Sequence, residues 1–144
     1  MQEQDELKLE SQICFPLYVC SREIIKKYKP FLDKYDLTYT QYIAMMVMWD
    51  KNEINVKELG RHLHLDSGTL TPVMKKLESK GYITRNRSKE DERNLSLKIT
   101  TKGKNLKEKM KSLPQEVGKC INLNENEAID LYKILYKILE NINK

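Results

Sequence analysis

Three cysteines, at positions 14, 20 and 120, are the most nucleophilic side chains of this sequence. A thiol reacts as its thiolate. A peroxide oxidises it to a sulfenic acid, which condenses with a second thiol to a disulfide. Cys14 stands beside Phe15 and near Leu17, both apolar. The plainer role for such a residue is a small buried hydrophobe, and on the residues alone both roles stay open. Cys20 follows six residues later, a rise of about 9 Å on a helix. That exceeds the roughly 7 Å Cα limit for a disulfide, so Cys20 reads as a packing residue. His62 and His64 lie far in sequence from the cysteines and make no zinc spacing. With no CxxC pair, no Gly-rich phosphate loop and no Ser/His/Asp arrangement, the chain predicts no metal, no cofactor and no enzyme; a thiol peroxidase using Cys14 is the weakest reading.

A second chemistry lies in the charge. The chain has 144 residues, 26 Lys+Arg and 21 Asp+Glu, for a net charge of +5. Between Asn55 and Lys111 there are 15 basic and 7 acidic residues, net +8, which leaves net −3 outside that block. A basic block inside a folded pattern is the footprint of nucleic acid binding, although a solvated Lys-rich face looks the same from charge alone. Within it stand Ser67, Thr69, Thr71 and Pro72, short side chains that allow close approach to base edges. Lys75 and Lys76 follow and suit phosphates. The tip of a charged hairpin carries Arg85, Arg87, Lys89 and Arg93, and a tip arginine can enter a narrow minor groove. Asp91 is placed to hold Arg93 by a charge-assisted pair.

These groups need elements to carry them. Apolar residues from Leu7 to Tyr28 recur every three or four positions and predict a helix, kinked near Pro16 or regular only from about Phe15. Pro30 predicts a break or a new helix start, with a short helical piece from Phe31 to Tyr35. Thr40 is the expected N-cap of a buried helix from Gln41 to Asp50, followed by the polar link KNEIN. Asn55 caps a helix from Val56 to His62 or Leu63. After a turn, Asp66 or Ser67 caps a helix that runs to about Lys80 and stops at Gly81. Tyr82 to Arg87 and Asn94 to Thr100 alternate as two strands joined by SKEDER. A helix from Thr101 to Leu113 ends around Pro114, a helical stretch spans Gln115 to Ile121, and Asn124 caps the last helix. On that helix Ala128, Leu131, Leu135, Ile138 and Ile142 step as a heptad-like seam, widened by Ile129, Tyr132 and Leu139. So broad a stripe suits a partner as well as the chain's own core.

Helix, tight turn, helix and charged hairpin, in that order within one basic block, predict a winged helix-turn-helix that binds double-stranded DNA. The fold class is mainly α with a small β-hairpin wing. The longest apolar run, Tyr42 to Trp49, is eight residues, against the roughly 20 of a membrane span. The opening MQEQDELKLE has no apolar signal core. A cytoplasmic chain with reduced thiols and no membrane partner is the expectation.

The stretch DSGTLTPVMKKLESKGYITRNRSKEDERNLSLKITTKG resembles the core of the MarR family of bacterial regulators, with DER at 91–93 in the wing and ITTKG closing it. The resemblance covers nearly the whole chain. It implies a single domain, 1–144, in a homodimer. The first and last segments, about 1–36 and 113–144, form the dimerisation region. The winged helix spans about 37–112, and two copies read a pseudo-palindromic operator. QICFPLY, KKYKP, LTYTQY and LDSGTLTP further resemble the OhrR-type, organic-hydroperoxide-sensing branch. That resemblance implies that Cys14 is the reactive thiol, that Tyr28 and Tyr39 hydrogen-bond to its sulfur, and that Tyr18 lines the pocket. A helix N-terminus and two phenol donors favour a thiolate. Cys120 lies where some members carry a resolving cysteine; a core position is equally open. Pro16 departs from the branch, in which a helix-compatible residue is expected, and bears on the angle of Cys14. The implied function is a repressor released from its operator when organic hydroperoxide oxidises Cys14. The alternative is a repressor released by a non-covalent phenolic or aromatic ligand held near Tyr28, Tyr39 and the Met-rich helix.

Overall fold

The first long helix, α1 (Cys14–Asp33), begins at the cysteine itself in the computed structural model, which describes residues 7–87 and 95–144. Among the described residues a 3-10 turn, Leu9–Ser11, precedes it. The regular helix therefore starts late, and Pro16 falls in its first turn, where a missing N–H costs no helical hydrogen bond. Pro30 does not break the chain as expected. The helix runs through it to Asp33. One bond, to the carbonyl of Lys26, is forfeited, while Tyr28, Phe31 and Leu32 keep the surrounding turns packed on the core.

A turn through Asp36, at φ 52°, leads to α2 (Tyr39–Lys51). Its cap is Thr38, not Thr40. The Thr38 hydroxyl accepts from the Gln41 N–H at 3.2 Å, and Gln41 Oε1 accepts from the Thr38 N–H at 3.2 Å, a reciprocal capping box. Ala44, Met45 and Met48 are fully buried, so α2 is the central helix that its sequence predicts. The KNEIN link is not merely a link. Glu53–Asn55 forms strand β1 by pairing with β3 (Leu95–Ile99), Ile54 opposite Leu97. Then come α3 (Val56–Leu63), α4 (Ser67–Ser79) and β2 (Ile83–Arg87). The sheet is antiparallel in the order β1-β3-β2.

After β3, α5 spans Thr101–Lys109 and α6 Leu113–Ile121. The break comes at 110–112, ahead of the expected one at Pro114. Met110 and Leu113 both enter the core, and the chain must turn between them. Pro114 then lies in the first turn of α6, where proline is tolerated. The last helix, α7 (Glu125–Ile142), is capped by Asn124 and Glu127 as a second capping box.

One core joins α1, α2, α4, the sheet, α5 and α6 through Leu32, Tyr42, Met48, Leu70, Leu77, Leu97, Leu106 and Val117. Each such side chain contributes about 1.5–3 kcal/mol on burial. No residue of α7 is buried; along its seam Ala128, Leu131, Ile138 and Ile142 are exposed and Leu135 is half-buried. Among the described residues no helix is long and apolar enough to cross a membrane.

Candidate nucleic-acid interface and thiol site

The helix-turn-helix is built by three local devices. Asn55 accepts from the Glu58 N–H at 2.8 Å and starts α3. His64, at φ 54°, ends it in the left-handed region. Gly60 lets α3 and α4 meet, because a Cβ there would lie 2.8 Å from the Leu65 carbonyl oxygen and 3.2 Å from Leu70 Cδ1. Asp66 then caps α4, accepting from the Thr69 N–H at 2.7 Å. That backbone bond, foremost, holds the Asp66 carboxyl below its ordinary range.

The first turns of α4 present the residues that the sequence singles out. Ser67, Thr69 and Pro72 are exposed, as are Lys75 and Lys76 one turn on. Thr71 differs. Its hydroxyl donates to the Ser67 carbonyl at 2.7 Å, so its hydrogen is already used and the methyl and the oxygen's lone pairs are left to meet a ligand. Pro72 has no N–H, which leaves the Gly68 carbonyl without its helical partner.

The wing is only partly as expected. Arg85 is not at the hairpin tip. It lies mid-strand opposite Leu97, and its guanidinium donates to Glu78 of α4 at 2.9 Å. It ties the wing to the recognition helix instead of reaching outward. Arg87 ends β2, paired with Leu95. Lys89, Asp91 and Arg93 fall outside the described residues.

Behind α4 lies a second set of ties. Gly81, at φ +80°, closes the helix. Lys102 Nζ donates to the Lys80 carbonyl at 2.7 Å and sits 5.1 Å from the centroid of the Tyr82 ring. The Thr100 hydroxyl donates to the Gly81 carbonyl at 2.6 Å and accepts from the Gly103 N–H at 3.0 Å. Lys80 itself reaches back to Asp36 and Gln41.

The thiol site is divided. Cys14 is exposed at the first residue of α1, beside exposed Ile13, Phe15, Leu17 and Tyr18. At the far end of α1, Tyr28 packs edge-on against Tyr39 with ring centroids 5.1 Å apart. Tyr42 joins them at 5.7 and 6.2 Å, and Trp49 touches Tyr42 at 6.3 Å. Burial raises the Tyr28 and Tyr39 phenols and pushes Tyr42 up to about 12. All three stay protonated at neutral pH and are donors. The uninterrupted helix from Cys14 to Tyr28 is about 21 Å long, so within one chain the phenols cannot reach the thiol. Tyr18 is exposed one turn from Cys14, with the Arg22 guanidinium 5.3 Å from its ring centroid. Cys20 is exposed rather than packed, because nothing among the described residues covers its face of α1. Cys120 is exposed on α6 and is not a core residue. Among the described residues no cluster of three His, Cys, Asp or Glu suited to a metal ion forms.

The sequence pattern of the transcriptional regulators SarA/Rot matches residues 26–110, which take in the tyrosine cluster, the helix-turn-helix and the wing. The chain belongs to this family. The SarA/Rot chain is 49% identical over 135 residues to the HTH-type transcriptional regulator SarZ of Staphylococcus saprophyticus, covering 94% of itself and 92% of SarZ. It is 45% identical over 143 residues to the organic hydroperoxide resistance transcriptional regulator of Bacillus subtilis, covering 97% and 95%. Its fold matches AbfR of Staphylococcus epidermidis, solved in reduced form bound to DNA, with a TM-score of 0.80, 30% identity and coverage of 98% and 100%. AbfR has also been solved overoxidised on DNA and disulfide-formed, the latter at a TM-score of 0.69 with 29% identity and coverage of 98% and 96%. The MarR-type, OhrR-like resemblance of the sequence holds. This SarA/Rot member is a DNA-binding, winged-helix transcriptional regulator and not an enzyme.

Proposed function

We propose that the protein is a homodimeric repressor of a pseudo-palindromic operator, released when an organic hydroperoxide oxidises Cys14. The observation that carries this reading is the separation of thiol and phenols along α1. Cys14 stands exposed among apolar side chains at one end, and the protonated Tyr28 and Tyr39 stand at the other. Two α1 helices laid antiparallel bring the thiol of each subunit over the phenols of the other and cover the apolar surface of α1 and α7. The names of the Bacillus subtilis relative and of the AbfR structures support the redox part of the reading.

The chemistry then runs as follows. The Cys14 thiolate attacks the terminal oxygen of the hydroperoxide and the O–O bond breaks. Sulfur is oxidised to a sulfenic acid, the peroxide is reduced, and the leaving alkoxide takes a proton to become an alcohol. The phenols of Tyr28 and Tyr39 stabilise the thiolate beforehand and the developing charge during transfer. If Cys120 of the other subunit resolves the sulfenic acid, its sulfur displaces water and an intersubunit disulfide forms. Either product makes a new demand on the tyrosines, and through α2 on the orientation of α4. A differential free energy of about 3–4 kcal/mol lowers operator affinity a few hundred-fold.

A Cys14→Ser protein tests this. It should bind the operator as the wild type does and stay bound when peroxide is added. Release of the variant at the dose that frees the wild type would favour the non-covalent ligand reading instead.

A further inference from the structure

We infer that Lys80 is a positioning residue for operator recognition, setting the angle of the recognition helix from behind without touching DNA. The residue follows the last turn of α4. Its ammonium donates to Gln41 Oε1 at 2.9 Å and to the Asp36 carbonyl, and its Nζ lies 3.7 Å from the Asp36 carboxylate. The side chain is only 19% exposed, against 96% for Asp36. A lysine turned inward with three oxygens around it is not available to a phosphate.

Gln41 is what makes this contact more than a surface pair. It is the one buried polar residue among the described residues, 6% exposed. Its single Oε1 accepts both from the Thr38 N–H at the cap of α2 and from Lys80 at the end of α4. One oxygen therefore joins the start of the central helix to the end of the reading helix. Tyr39 is two residues from Gln41 and belongs to the aromatic cluster with Tyr28 and Tyr42. On the other side, the Lys80 carbonyl is held by Lys102. The C-terminus of α4 is thereby pinned in two directions, toward α2 and toward α5. Rotation of α4 about its own end requires the Lys80 contacts to break.

A fixed angle matters for base-edge contacts and little for phosphate contacts, which are sequence-independent and tolerant of geometry. Loss of Lys80 should therefore weaken specific binding selectively. The inference rests on DNA binding and not on the thiol chemistry, so failure of the peroxide reading leaves it standing or falling on its own test.

The test uses the reduced full chain, a duplex that the wild type selects from a random pool, and a scrambled duplex of the same length and composition. Lys80→Met keeps the apolar stem and removes the donors. Its affinity for the selected duplex should fall ten- to thirtyfold, with affinity for the scrambled duplex within twofold of wild type and an unchanged salt dependence. Lys80→Arg should restore part of the loss. Gln41→Met should reproduce the selective loss, and the double variant should be no worse than the weaker single one; this pair also decides the matter if Lys80→Met does not fold. Equal losses on both duplexes, with the slope of log affinity against log salt reduced by about one, would make Lys80 a phosphate contact and overturn the inference. Unchanged specific affinity in folded Lys80→Met, or in folded Gln41→Met, would overturn it as well.

Discussion

Arg85 and Glu78 form an ion pair at 2.9 Å that fastens the wing strand β2 to the recognition helix α4. The Arg85 guanidinium, chiefly by its hydrogen bond, holds the Glu78 carboxyl below its ordinary value of 4.5. Because the folded-state value is depressed, the pair stabilises the fold above the unfolded value and loses its effect as pH falls through the folded one. Glu78→Gln should lower the thermal midpoint at pH 7 and weaken operator binding, and the difference from wild type should close in acid, below the ordinary 4.5. Thermal melts of the two proteins across that range check it; a gap that persists at the acid end contradicts the pair as its source.

Gly60 allows the two helices of the reading motif to touch. Gly60→Ala places a Cβ against the Leu65 carbonyl and Leu70. Overpacking of this kind costs about 1–3 kcal/mol. Urea unfolding should show that loss with an unchanged slope, and operator affinity should fall further than stability alone requires. A variant as stable as wild type would show that the turn gives way without strain.

Much of this architecture was legible in the residues. Asn55, Asp66 and Asn124 announce their helices because a cap needs only a short acceptor and a following apolar run. The cap of α2 was harder, since Thr38 and Thr40 both qualify until Gln41 is seen to answer Thr38. β1 could not be read, because three residues become a strand only through a partner some forty positions away. The inward turn of Arg85 was hidden for a related reason. Strand alternation says which residues share a face, but not that Glu78 waits on the facing helix. The adjacency of Tyr28 and Tyr39 came from family resemblance alone, and the distance of Tyr28 from Cys14, with Tyr39 packed against it from α2, emerged from the length of α1.

That distance predicts shared sites. A heterodimer of Cys14→Ser with a Tyr28→Phe, Tyr39→Phe chain has one intact site and one doubly impaired site, in which serine faces phenylalanines. Sulfenic acid labelling after limiting peroxide should be slow in the double-Phe homodimer and regain near wild-type speed, at half the yield, in the heterodimer. Equally slow labelling in the two would place the phenols in the thiol's own subunit and contradict shared sites, and wild-type speed in both would place the phenols outside the reaction.

Cys120 predicts a covalent mark. Peroxide-treated wild type should run at twice the monomer mass on a non-reducing gel, and Cys120→Ser should remain monomeric there while still forming the sulfenic acid. Crosslinking that survives in Cys120→Ser would show that Cys120 is not the resolving thiol and leave Cys20 or the other subunit's Cys14 in that role.

The central claim is that oxidation of Cys14 governs operator binding. Fluorescence anisotropy of the reduced protein on a duplex it has selected tests it most directly, with one equivalent of cumene hydroperoxide added and then dithiothreitol. The account predicts tight binding, a few hundred-fold loss on peroxide, and recovery on reduction. Tight binding that ignores the peroxide would contradict it.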